Sequence, residues 1–256
     1  MGSAIIGGIV KAELFKGQDI MASDISDDFL NKLSTSFGIG TTKNNLDIAT
    51  KCDIIFLCVK PNLYSIIINE IKDHVKEGTI IVTIAAGQTL STVASQFNGN
   101  IKVVRTMPNT PALVNQGMTA VCPDKNISEE EKTLILNIFN SIGRASVLPE
   151  SLFDIFTGVA GSSPAYAFMF IEAMGDAGVK YGLTKAQAIQ FAAQTFLGAS
   201  RMVLNGEFGP SVLKDQVCSP GGTTIEAVCT LEEQGFRNSI IKAVDACVQK
   251  SIKMSQ

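Results

Sequence analysis

The segment DIIFLCVKPN, residues 53–62, decides the fold. Asp53 opens it, Lys60-Pro61 closes it, and Ile54 to Val59 run between them without a charged residue. A strand wet on one face alternates apolar and polar residues. An unbroken apolar run needs burial on both faces, as in the middle of a parallel sheet. Residues 62–74 then carry Leu63, Ile66, Ile67 and Ile71 at helical spacing. TIIVTIA (79–85) and IKVVRTM (101–107) repeat the strand pattern. DIMAS (19–23) and a helix over 26–36 precede it; MTAVC (118–122) and ASVL (145–148) complete it. Ser128-x-x-Glu131 predicts a capping box for a helix over 129–142. Strands alternating with helices predict an α/β, doubly wound sheet of Rossmann type over residues 1–149.

Beyond Pro149 the strand signals stop, so residues 150–256 are expected to form a separate all-α domain. Pro164 suits a helix first turn, with a long apolar helix over 164–181. Thr184-x-x-Gln187 caps another to about 204, Gly209-Pro210 starts a short one, and helices at 221–232 and 236–254 close the chain. AYAFMFIEAM and AIQFAAQTFLGA are apolar on most sides. A domain of five helices cannot hide that much surface alone, which marks a subunit interface.

With 46% apolar and 18% charged residues the chain reads as a globular protein. A net charge of −3 gives no electrostatic case for nucleic acid or an anionic membrane. No apolar run approaches the roughly 18 residues of a membrane span, and the N-terminal residues lack a basic leader. Six cysteines without a C-x-x-C pair read as reduced core thiols, and a cytoplasmic location is expected by default. The single histidine, His74, reads as a surface residue, which excludes a His-based triad. No carboxylate cluster has metal-ligand spacing.

A second informative stretch is SVLKDQVCSPGGTTIEAVCTLE, residues 211–232. Pro220 restricts the backbone, Gly221 and Gly222 let it approach a ligand, and a helical pattern follows at once. The first N–H groups of a helix have no intrahelical partner and attract anions such as carboxylates. Thr223 and Thr224 add hydroxyls at the same place. Alone, such a turn is also an ordinary helix cap.

The stretch resembles the signature segment of the pyrroline-5-carboxylate reductases. LCVKPN (57–62), IAAG (84–87), RTMPNTP (105–111) and TGVAGSSPAYAF (157–168) stand in that family's order, so the resemblance spans nearly the whole chain. It implies reduction of L-1-pyrroline-5-carboxylate to L-proline, the last step of proline biosynthesis, with NADP or NAD as the nicotinamide cofactor. It also implies a homo-oligomer built through interleaved helical domains, a dimer or a ring as large as a decamer. Thr224 would hydrogen-bond the imine nitrogen, and Gly221, Gly222, Thr223 and Thr224 would seat the substrate carboxylate. Glu150, Val217 and Ser219 match further substrate positions.

Cofactor contacts implied by the same resemblance are Met1 and Gly2, Ser23 and Asn45 near the adenosine, and Cys58-Val59-Lys60-Pro61 and Ile84-Ala85-Ala86 at two strand ends. Asn109 would lie near the nicotinamide, and Gln216 stands where many relatives have Asn. Met1-Gly2-Ser3-Ala4 matches only the end of the glycine fingerprint; the strand and two glycines before it in the family are not in this sequence. The sheet is then expected to lack a strand that normally lies in its middle. Ser23 is followed by Asp24 with no arginine, which leaves NADP against NAD open. The substrate seat and the cofactor come from different domains, and from different chains if the interleaved dimer forms. Two other readings stand beside this one. A β-hydroxyacid dehydrogenase uses a lysine on the first long helix of its second domain, but Lys180 lies at the far end of that helix. A catalytically silent oligomeric relative would keep only the helical domain's role.

Overall fold

The computed structural model describes residues 1–99 and 101–255. Its chain divides into two compact units, Met1–Ser162 together with the segment from Cys247 onward, and Ser163–Ala246. The division falls later than the expected 149–150 and returns the last turns of the chain to the first unit. The cause is packing. Phe153 shares a core cluster with Ala120 and Cys122. Ser251 Oγ donates to Asp154 Oδ1 at 2.6 Å, and Cys247 Sγ donates to Ser162 Oγ at 3.3 Å.

The first unit runs α1 (Gly2–Lys11), β1 (Met21–Ser23), α2 (Asp27–Phe37), β2 (Gly40–Thr42), α3 (Asn45–Lys51) and β3 (Ile54–Leu57). It continues through α4 (Tyr64–Ile71), β4 (Ile80–Thr83), α5 (Leu90–Ala94), β5 (Lys102–Pro108) and β6 (Gly117–Pro123). α6 (Glu129–Asn140), β7 (Gly143–Val147) and α7 (Phe153–Phe156) end it. Side chains of successive strand residues go to opposite faces. Ile55, Leu57 and Ile81 therefore join Tyr64, Ile68, Ile71, Val93 and Phe97 from α4 and the α5 region. Ile80, Val82 and Val104 meet Ile5 and Ile9 of α1 and Ile135, Ile138 and Phe139 of α6 on the other face. Every residue of β4 is buried, as an unbroken apolar run requires. The predicted capping box of α6 is formed, with Ser128 and Glu131 bonded reciprocally.

The sheet is in two pieces. β1 and β2 pair in parallel, with Met21 opposite Gly40; the other piece has the order β3-β4-β5-β6-β7. Among the described residues β1 and β3 thus each have a strand on one side only, at the two edges between which a doubly wound sheet places its first strand. The second departure is β6, which runs antiparallel to β5 with Pro108 opposite Thr119. A parallel return needs a crossover of a dozen or more residues. Here the connection holds only a 3₁₀ turn, Thr110–Val114, so the chain can only double back.

The second unit contains α8 (Ser163–Lys180), α9 (Lys185–Leu204), α10 (Pro210–Val217), α11 (Thr223–Glu233) and the larger part of α12 (Phe236–Ser255). α8 and α9 form a hairpin. Gly175 and Gly178 of α8 lie against Ile189 and Ala188 of α9 at distances that leave no room for a Cβ. Thr184 and Gln187 cap α9 reciprocally, as their spacing predicts. Phe170 packs on Phe196 at 4.8 Å and on Phe236 at 5.8 Å between ring centres. Beyond these contacts little is covered. Phe168, Met169, Phe191 and Ile241 are 64%, 69%, 55% and 67% exposed.

Candidate active site

In the first unit the carboxyl ends of β1, β3, β4 and β5 carry the residues expected to meet a dinucleotide. At the end of β1, Ser23 Oγ donates to Asn45 Oδ1 at 2.8 Å, and Asn45 Nδ2 donates to Glu70 Oε2 at 2.9 Å. Ser23 and Asn45, 22 residues apart, are therefore one polar cluster. Asp24 Oδ1 accepts from the Ser26 N–H at 2.9 Å, in the turn before the Ser26 cap of α2.

β3 ends at Leu57, and Cys58 to Lys60 lead into a 3₁₀ turn, Pro61–Leu63, with Lys60 as its cap. Cys58 is open to solvent, yet enough protein surrounds it that burial pushes its thiol up to about 11. It lies beside α1: a Cβ built on Gly2 would rest 3.4 Å from Cys58 Sγ. No side chain caps α1, which leaves its first N–H groups to an outside acceptor. Cys229 is likewise exposed and only Cys122 is buried, so the thiols are free, as expected, but mostly not core residues. His74 is exposed, as expected.

The ends of β3 and β4 are tied together by a residue that sequence reasoning missed. Tyr64, 1% exposed, donates its hydroxyl to the Leu57 carbonyl at 2.8 Å. The same oxygen accepts from Thr83 Oγ1 at 2.9 Å and from the Ile84 N–H at 3.3 Å. Thr106 Oγ1 of β5 donates to the Thr83 carbonyl at 2.9 Å, so the belt crosses three adjacent strands. Burial pushes the Tyr64 phenol up to about 12, so it stays a neutral donor. The available signal was polar residues (Tyr64, Thr83, Thr106) within otherwise apolar patterns.

Two expected contacts turn out to be engaged within the protein. Asn109 Oδ1 accepts from the Met118 N–H, and its Nδ2 donates to the Ala160 carbonyl, both at 2.9 Å. The side chain thus pins the π-helical turn Thr157–Gly161 to the end of β5. Glu150, expected at the substrate, accepts at its Oε1 from Arg105 Nη1 at 3.0 Å and from the Leu90 N–H at 2.8 Å. Arg105 is itself buried, with its guanidinium carbon 4.6 Å from the centre of the Phe153 ring. A buried guanidinium needs such a partner, and proximity in the fold provides one that sequence spacing does not reveal.

In the second unit, α10 ends at Val217 and the chain turns through Ser219 and Pro220 into α11. The Gly222 N–H donates to the Ser219 carbonyl at 3.0 Å. Gly221 sits at φ +66°, in the left-handed region where a side chain would strain the turn. Gly222 is the cap residue of α11 and supplies no side chain, while Thr223 and Thr224 are its first helical residues. Gln216, Val217, Ser219, Gly221 and Thr223 are exposed and Thr224 is half-buried. The first acid, Glu226, comes after these positions. This end of α11 therefore offers uncapped N–H groups, two hydroxyls and the positive end of a helix dipole to an anion.

A Rossmann-type sheet followed by a helical unit with uncovered apolar faces is the architecture of a Rossmann-type oxidoreductase with a helical assembly domain. Comparison with known proteins agrees. Residues 150–254 match the family model described as pyrroline-5-carboxylate reductase dimerisation, and residues 1–87 match one described as NADP oxidoreductase coenzyme F420-dependent. The pyrroline-5-carboxylate reductase of Escherichia coli strain K12 is 46% identical over 257 residues, covering 100% of this chain and 95% of the relative. That of Methanosarcina acetivorans is 38% identical with the same coverage. A crystal structure of Plasmodium falciparum pyrroline carboxylate reductase with NADP bound superposes with a TM-score of 0.89 at 32% identity, covering 100% of this chain and 95% of that one. The Coxiella burnetii pyrroline-5-carboxylate reductase gives 0.93 at 31% identity, with the same coverage. The chain belongs to the pyrroline-5-carboxylate reductase family.

Proposed function

We propose that this chain reduces L-1-pyrroline-5-carboxylate to L-proline with NADPH or NADH, as a homo-oligomer that is a dimer or a larger ring such as a decamer. The observation that carries the reading is the opening of α11. A glycine cap, no acid before Glu226, and two threonine hydroxyls form a seat for a small carboxylate with a donor beside it. In the first unit, the Ser23–Asn45 cluster, the uncapped start of α1 and the segments 58–61 and 84–86 fit a dinucleotide's sugars and phosphates. When bound, the nicotinamide supplies the hydride; the rest of the chemistry falls to the protein.

Backbone N–H groups of Gly222, Thr223 and Thr224 hold the substrate carboxylate, and Val217 and Ser219 border it. The Thr224 hydroxyl donates a hydrogen bond to the ring nitrogen, which makes the C=N carbon a better hydride acceptor. A threonine hydroxyl is too weak an acid to be the final proton source, so the proton comes through it from water. Asn109 acts through the turn it pins.

The test is cofactor consumption at 340 nm with NADPH or NADH, with and without pyrroline-5-carboxylate, and chromatographic detection of proline. Substrate-dependent oxidation with one proline per NAD(P)H is expected. A folded protein that binds NADPH and forms no proline overturns the reading.

A further inference from the structure

Residues Ile84 to Thr89, between β4 and α5, have no regular hydrogen-bonding pattern of their own, yet both ends of this strap are gripped. At the near end, the Ile84 N–H donates to the Tyr64 hydroxyl, which in turn donates to the carbonyl of Leu57, the last residue of β3. At the far end, the Leu90 N–H donates to Glu150 Oε1, and that oxygen is held by buried Arg105 of β5. At the apex, Gly87 has φ +75°, and a Cβ there would lie 3.1 Å from the Met254 carbonyl. One grip thus comes from the helix after β3 and the other from the segment after β7. Neither uses the strap's own side chains.

The Tyr64 grip is a buried polar contact, and the half-buried Glu150 carboxylate is anchored by a buried guanidinium, so both tolerate little displacement. A group that loses its partner there bears the full cost of desolvation. The strap is therefore locked relative to the end of β3, the second segment expected to meet the cofactor. We propose that Tyr64 and Glu150 are positioning residues for the dinucleotide: the phenol sets the spacing of the β3 and β4 ends, and the carboxylate fixes where the strap enters α5. The proposal rests on the cofactor site assigned above. It gives Glu150 a role other than a substrate contact.

The test uses Tyr64→Phe and Glu150→Ala, with Glu150→Gln as the conservative variant, whose amide oxygen still accepts from the Leu90 N–H. NADPH dissociation constants come from fluorescence titration of the ligand-free protein, KM values from steady-state kinetics, and strap exposure from deuterium exchange of peptides covering 84–90. Tyr64→Phe and Glu150→Ala are expected to weaken NADPH binding by about 3- to 10-fold, the net scale of a hydrogen bond. Glu150→Gln should remain within about 2-fold. KM for pyrroline-5-carboxylate should stay near the parent's, and deuterium uptake in the strap should rise. Ile135→Val, in the core on the far face, serves as a destabilised control and should bind NADPH as the parent does. If the parent binds NADPH and both Tyr64→Phe and Glu150→Ala bind it equally well, the positioning role falls and the cofactor site stands. Equal weakening in Ile135→Val also overturns it, as a general stability effect. A parent that takes up no NADPH removes the cofactor site and the proposal together.

Discussion

β4 buries all four of its residues, whereas α8, eighteen residues long and rich in Phe, Met and Ala, buries only Gly175. Both segments are apolar; only one has something to pack against within the chain. The sheet of the first unit is covered on both faces by helices that the same chain supplies. The helices of the second unit meet one another along a narrow seam and leave Phe168, Met169, Phe191 and Ile241 in water. Burying each such side chain contributes about 1.5–3 kcal/mol. Four of them together rival the roughly 5–15 kcal/mol that holds a whole domain folded. The second unit, which lies within the region matched by the family's dimerisation model, therefore completes its core by association.

The largest effect should come from breaking that association. Met169→Glu combined with Phe191→Glu places two carboxylates where apolar contact is needed. Light scattering after size exclusion should then show monomers, and the reductase reaction should be lost. A double variant that stays oligomeric would put these faces outside the assembly. Next comes the seat on α11. Thr224→Val removes one hydroxyl while keeping the shape, and kcat should fall about 10- to 100-fold with the oligomer intact, as for a hydrogen bond to a developing charge. Thr224→Ser should recover most of it. An unchanged kcat in Thr224→Val removes the hydroxyl from the mechanism.

A cavity in the first unit should act on stability rather than assembly. Ile81→Ala, in a fully buried strand, should cost about 2–5 kcal/mol in chemical denaturation. Ile241→Ala should cost little in a dissociated monomer and more in the oligomer. If the two substitutions cost the same in the monomer, the contrast between the units fails. The smallest effect concerns Cys58. With its thiol near 11, about one molecule in a thousand carries the thiolate at pH 8. Alkylation by iodoacetamide should be slower than for a free thiol, rise with pH above 8, and slow further when NADPH is bound. Rapid labelling at pH 7 would show that the surroundings of Cys58 are more open than described.

Long, strongly patterned elements were legible in the residues: the buried strands, the capping boxes at Ser128 and Thr184, and the turn before α11. Not legible were β2, α3, α5 and α7, which are too short to show a period and carry no unbroken apolar run. The antiparallel course of β6 was missed because nothing in MTAVC records direction; the short connection before it decides that. The turn into α11 was readable because its parts are adjacent in sequence. Tyr64, Arg105 and the protein partners of Glu150 and Asn109 were not, since their bonds join residues up to 60 positions apart.

By itself the sequence determined the class of fold, the family and the glycine turn that opens α11, because periodicity, caps and glycine turns act over a few neighbouring residues. Only the tertiary structure decided that β6 doubles back against β5, that residues 150–162 and the last turns of α12 pack with the first unit, and that the Glu150 carboxylate is paired with Arg105. The reason is that a buried polar group must find its partner in space, and the chain brings partners together only once the sheet and its helices have closed around them.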